Sequence, residues 1–189
     1  MNDDALIEPG TIEPGGRAPH IGAMDEQPQP LRKRGHPHAL AARERKRAEA
    51  AAIGLDPVYI DAFVETFYAS IREDELLGPI FAARIADWGP HLARMKAFWR
   101  GVLLNSGEYT GNPMRMHVAI PGLEERHFAH WLELFYAALT RLDRQGEAAR
   151  AVGAKARMIA DSLLTGIEMQ RGGGIAAMRS GDRLPHFAN

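Results

Sequence analysis

Residues 88–99 read Trp88-Gly-Pro-His91-Leu-Ala-Arg94-Met95-Lys-Ala-Phe98-Trp99, and residues 112–117 read Asn112-Pro-Met-Arg115-Met-His117. Wound at 100° per residue, Met95, Phe98 and Val102 fall within about 40° of His91, so this histidine points where the apolar side chains point. The second stretch predicts a short helix with Asn112 as N-cap and Pro113 at its first position. Pro121-Gly122 stops it. A long amphipathic run follows, in which Phe128, Trp131, Phe135, Ala138 and Leu142 share one face. Two histidines and several large aromatic rings around one apolar space predict a pocket for a flat, apolar, metal-bearing ligand.

The neighbouring pattern is helical throughout. Asp56-Pro57 caps and opens a helix whose Ile60, Phe63, Val64, Phe67 and Ile71 form one broad apolar face, with Tyr68 at its edge. Residues 76–81, Leu-Leu-Gly-Pro-Ile-Phe, read as a turn that carries Phe81 inward. Gly89-Pro90 opens the helix of His91, and Asn105-Ser-Gly107 ends it. Two further helices are expected over residues 123–143 and 146–170, the second with Val152, Ala156, Ile159, Leu163 and Ile167 at core spacing. No period-2 alternation supports a sheet, and no internal repeat is present. The expectation is an all-α fold in one domain.

Both ends differ from this core. Residues 1–38 hold six of the 12 prolines, with acidic residues first and Arg32, Lys33 and Arg34 after them. They read as a disordered extension. The basic cluster continues through Arg43, Arg45, Lys46 and Arg47 in an alanine-rich helical stretch over residues 38–52, which reads more naturally as a solvated helix face than as a nucleic-acid or lipid contact, since no aromatic is interleaved. The domain is expected over residues 39–171, and residues 172–189, beginning with three glycines, read as a flexible tail.

Composition narrows the chemistry. The 189 residues, 46% hydrophobic, suffice for one domain with a full core. A net charge of −1 gives no global attraction to nucleic acid or to an anionic membrane. With no cysteine, thiolate-ligated haem, iron–sulfur clusters, Cys-ligated zinc and thiol nucleophiles are excluded. No signal peptide and no membrane span is expected, and a cytoplasmic setting fits.

Haem iron needs an axial imidazole on a side chain held rigidly in an apolar slot. His117 suits this, because its other ring nitrogen can donate to a carbonyl in the preceding turn. Phe81, Phe98, Trp99, Phe128 and Phe135, with Val102, are the wall candidates. Dioxygen on ferrous haem carries partial negative charge, and Tyr68, His91 and Trp131 are the donor candidates facing it. Arg94 and Arg115 are the candidates for pairing with the propionates. Each residue also has a plain structural reading: aromatics at helical spacing are usually core, and a single histidine on an apolar face is more often satisfied there than a ligand. Met114 and Met116 read as packing residues before ligands. Glu124-x-x-His127 is half of a di-iron bundle signature with no second copy, and His36-Pro-His38 falls in the extension.

Taken together, Phe67-Tyr68, Leu-Leu-Gly-Pro-Ile-Phe81, Trp88-x-x-His91, Phe98-Trp99, Tyr109-x-Gly-Asn-Pro-Met, His117 and His-Phe-x-x-Trp131-Leu-x-Leu-Phe135 resemble a group III truncated haemoglobin over about residues 45–170. The resemblance implies a truncated globin fold, a two-on-two helical sandwich around haem b. It implies His117 as proximal iron ligand, Tyr68, His91 and Trp131 on the distal side, and Phe81 packed on the haem. Dioxygen, carbon monoxide and nitric oxide are the implied ligands, with an unidentified reductase as redox partner. Peroxidase-like or nitric oxide dioxygenase activity stays open, although no distal arginine is evident. The rival expectation is a cofactor-free helical interaction domain working through the basic residues 32–47.

Overall fold

Apolar stripes at helical spacing decide what the helices bury, and side-chain caps fix where several of them begin. The computed structural model describes residues 37–143, 146–172 and 183–187. In order the helices are α1 (Pro37–Ala52), α2 (Pro57–Glu73), α3 (Gly78–Ala82), α4 (Trp88–Leu104), α5 (Pro113–Val118), α6 (Glu125–Asp143) and α7 (Glu147–Gln170). The Asp56 carboxylate accepts the Tyr59 N–H at 2.7 Å and starts α2, with Pro57 at its first position. Asp87 does the same for α4 through Gly89 N, so this helix starts at Trp88, ahead of the expected Gly89-Pro90. Its other end is closed by Asn105 in the left-handed region at φ 53°. Residues 76–81, expected as a turn, include the start of α3, because Asp74 accepts from both Leu76 N and Leu77 N and winds the chain into a new helical turn.

Helices α2 and α4 form one pair and α6 and α7 the other, with α2 packed against α6. The face of α2 buries Ile60, Phe63, Val64, Phe67, Tyr68 and Ile71, as its spacing predicts. Phe63 joins the two layers, edge-on to Trp99 at 5.4 Å and to Phe135 at 5.5 Å. Small residues on α7 (Ala149, Gly153, Ala156 and Ala160) are buried in its packed face. Leu142, expected on the inward face of α6, is 40% exposed, as the stripe runs past the contact at the end of that helix.

Two outer segments are tied to this frame. Lys46 donates to Val102 O at 2.9 Å and Arg47 to Leu104 O at 3.4 Å, so two basic residues of α1 satisfy carbonyls at the C-terminal end of α4. Residues 183–187, read from composition as part of a flexible tail, pack against α6 and α7. Leu184 is buried, the Tyr136 hydroxyl donates to Pro185 O at 2.9 Å, and Phe187 meets the Tyr136 ring edge-on. The expected extension over residues 1–38 lies outside the described residues except for its last two, which begin α1. Among the described residues no helix is long and apolar enough to cross a membrane.

Candidate functional site

Tyr68 sits on the buried face of α2, and four rings surround it. Phe67 lies 4.9 Å away, His91 5.1 Å, Phe81 5.9 Å and Trp88 6.1 Å between ring centres. Burial pushes the phenol's pKa far up, which keeps the hydroxyl neutral and therefore a donor. His91, on α4, is only half-buried, yet its Nε2 is shielded and has no hydrogen-bond partner among the described residues. Its desolvation, and then the nearby Arg94 charge, lower its pKa and favour the neutral ring. A buried ring nitrogen gains free energy from a hydrogen-bond partner, so His91 Nε2 offers a polar contact to a ligand beside Tyr68.

The aromatic chain extends to α6. Trp131 is edge-on to Phe67 at 5.2 Å and stacks on Phe135 at 4.9 Å with the planes 16° apart. Phe135 stacks in turn with Trp99 at 5.2 Å. Trp99 and Phe135 therefore lie within the core, whereas Phe98, Met95 and Val102 are partly buried beside it. Phe81 is also partly buried, and Phe128 is buried.

His117 is carried by α5, a six-residue helix started by Asn112, whose side chain accepts the Arg115 N–H at 3.0 Å. Its Nδ1 lies 2.8 Å from Pro113 O. A carbonyl only accepts, so Nδ1 carries the proton and the Nε2 lone pair is left for a ligand bond. Burial lowers the imidazole's pKa, and the Pro113 contact opposes this only in part. The Phe128 ring lies 6.5 Å from it, tilted by 33°.

Other expectations fall into place around these. Met114 is packed against Gly166 of α7, while Met116 is 64% exposed. Arg94 and Arg115 are exposed. His127 is buried, and its Nδ1 accepts Glu124 N–H at 3.0 Å, so the Glu124-x-x-His127 pattern closes the start of α6. No group of three metal-binding side chains is found among the described residues. A cleft of about 410 Å³ lies elsewhere, between α1 and the ends of α2 and α4. Its Arg100 is already paired with Asp61 at 3.0 Å and Glu108 at 2.9 Å.

Sequence reading gave no role to Trp88 or Arg72. Trp88 touches both Tyr68 and His91, and the Arg72 guanidinium lies over its ring at 4.4 Å. The i, i+3 spacing of Trp88 and His91 on one helix was the available signal for the first. None existed for Arg72.

The described helices thus form two packed pairs, with one anchored histidine on a short helix and Tyr68, His91 and Trp131 joined to a chain of aromatic rings. The pattern of the bacterial-like globin family matches residues 51–162, and the chain belongs to that family. Within it, the chain is similar to the group III truncated haemoglobins. It is 35% identical over 105 residues to the group 3 truncated haemoglobin of Campylobacter jejuni, covering 53% of this chain and 82% of that protein. The crystal structure of the group III truncated haemoglobin from Campylobacter jejuni superposes with a TM-score of 0.55 at 33% identity, covering 58% of this chain and 88% of that one. The fold is a truncated globin fold, and membership of a globin family implies haem and small-ligand binding.

Proposed function

We propose that this chain holds haem b through His117 and binds dioxygen, with carbon monoxide and nitric oxide as further ligands. The observation that carries the reading is the His117 ring, whose Nδ1 is fixed on Pro113 O at 2.8 Å and whose Nε2 is thereby free to bind a metal. The donor set fits: a neutral imidazole for the iron, and a shielded His91 Nε2 without a partner among the described residues, beside a neutral Tyr68 hydroxyl. When bound, haem supplies an iron site for a diatomic ligand and a one-electron couple.

The chain's own residues do the rest. His117 orients its lone pair, and burial, by lowering the imidazole's pKa, favours the neutral ring whose lone pair is open to a metal. Tyr68 O–H and the Trp131 indole N–H are donors, and donors stabilise the partial negative charge of a bound gas ligand. Phe81 and Phe98, partly buried, supply apolar surface that excludes water, Phe128 lies buried near His117, and Trp99 and Phe135 support the site from within the core. Arg94 and Arg115, both exposed, are the cations for the propionates. Redox chemistry on oxygen or nitric oxide would draw electrons from a separate reductase, and the setting we infer is cytoplasmic. The rival, a cofactor-free domain using residues 32–47, is disfavoured because Lys46 and Arg47 already bond to α4.

The test is the absorption spectrum of the protein expressed with haem supplied. A strong band at the blue end of the visible is expected, lost in His117→Gly and restored by added imidazole. Full pigment in untreated His117→Gly would overturn the assignment.

A further inference from the structure

Helix α5 has six residues, too few to hold itself together in water. Its direction must therefore come from what it packs on, and that is α7. Two attachments bracket His117. Three residues before it, the thioether of Met114 lies against Gly166, where a Cβ would overlap both the sulfur and its methyl group. Three residues after it, the Ile120 carbonyl accepts from Arg171 at 3.4 Å, and the same guanidinium donates to Leu123 O at 2.6 Å. The His117 ring is fixed to α5 itself through Pro113 O, so whatever moves α5 moves the ring.

Gly166 needs a reason to be where it is, since glycine in a helix interior is less favourable than alanine. Gly153, also within α7, makes the same kind of room for Phe187. Both glycines act as sockets on α7 for a side chain arriving from elsewhere.

We propose that Gly166 and Arg171 are positioning residues for the proximal imidazole: the Met114–Gly166 socket and the Arg171 clamp dock α5 on α7 and so fix where His117 presents Nε2. This rests on the reading of His117 as the iron ligand. In Gly166→Ala the atom that must yield is the flexible end of Met114, which leaves the socket while α7, with a better helix former, stays intact. Arg171→Gln removes the forked donor, and Arg171→Lys restores one bond.

The experiment measures amide hydrogen exchange of the full chain with and without haem, alongside the iron–histidine stretching band of the ferrous protein by resonance Raman. In Gly166→Ala and Arg171→Gln, amides of residues 114–120 should exchange about tenfold faster while those of α2 keep their protection. The iron–histidine band should shift or broaden, with partial recovery in Arg171→Lys. Met114→Ala should loosen α5 similarly, and adding Gly166→Ala to it should change little more, as expected for residues in contact. Unchanged exchange across residues 114–120 in Gly166→Ala and Arg171→Gln overturns the proposal. So does faster exchange with an unmoved band. If His117→Gly keeps the wild-type band, the reading of His117 fails on its own, and the haem-free exchange data show separately whether α5 is docked as described.

Discussion

The Tyr68 and His91 rings meet edge to face, 5.1 Å apart and 83° between planes, with Tyr68 buried and His91 at the solvent margin. The inner ring offers a hydroxyl that burial keeps protonated. The outer one offers a nitrogen without a partner among the described residues. Tyr68→Phe removes the hydroxyl and keeps the ring contacts to Phe67, Phe81 and Trp88. A net neutral hydrogen bond is worth about 0.5–1.5 kcal/mol, so oxygen release should quicken by about two- to twelvefold. Because the rings touch, the effects of Tyr68→Phe and His91→Leu should not add. Stopped-flow dissociation on the two variants and their combination measures this.

A second pair sets a pH dependence of stability. His130 Nε2 lies 2.6 Å from the Asp74 carboxylate, with Glu133 3.3 Å from the other ring nitrogen. The hydrogen bond to Asp74 leads in raising the imidazole's pKa, and partial burial opposes it. Burial alone would raise the Asp74 carboxyl, but bonds from Leu77 N, His130 and Leu76 N outweigh it and hold the carboxyl below its usual range. A raised histidine stabilises fully below its unfolded value of about 6.5 and loses that as pH rises through its folded value. A depressed carboxylate stabilises above its unfolded value of about 3.9 and loses that as pH falls through its folded value. The pair thus contributes most between those limits. His130→Gln should cost up to about 1 kcal/mol near pH 5.5, by the scale of partly exposed ion pairs, and clearly less near pH 8.5. Urea unfolding at the two pH values reads the difference, and equal losses at both would remove the pair from the pH dependence.

What could be read from the chain was what is local to it. Asp56 and Asn112 lie three residues before the amides they accept from, Pro57 and Pro113 follow them directly, and the α2 stripe recurs at helical spacing. Those features depend on neighbours within a turn, so the all-α fold and the helix starts were legible. The order of Tyr68, His91, His117 and Trp131 was legible too, as a set of candidates. The contacts that position them were not. Asp74 and His130 are 56 residues apart, and Arg171 and Leu123 are 48, with no local pattern linking either pair. Residues 183–187 follow a run of glycines, and their partners Tyr136, Gly153 and Arg157 lie on two earlier helices. Composition alone read that segment as loose.

Those last residues make a direct test of packing against composition. Leu184 is 2% exposed, its carbonyl accepts from Arg157 at 3.2 Å, and Arg183 holds Glu168 through two bonds of 3.0 and 2.8 Å. Leu184→Ala should cost about 2–4 kcal/mol, the usual range for a buried leucine truncated to alanine. A flexible tail would show almost nothing. Chemical denaturation of the variant separates the two, and Gly153→Ala should weaken the same contact, since its Cβ would come 3.0 Å from the Phe187 side chain.

The indole of Trp131 is held by stacking on Phe135 at 4.9 Å and by the edge contact with Phe67, so its ring direction is set by core residues on two helices. An N–H fixed in this way loses little entropy when it donates, and its contribution to ligand retention should be near the upper end for a hydrogen bond. Trp131→Phe keeps an aromatic ring in the stack but deletes the donor. We expect oxygen release to speed up by about tenfold, equivalent to about 1.4 kcal/mol. Carbon monoxide carries less negative charge at its outer atom than dioxygen does, so its release should change much less. Stopped-flow dissociation of both gases from the variant provides the comparison. Equal effects on the two would mean that Trp131 acts by shaping the pocket, and no effect on either would remove its indole from contact with the ligand.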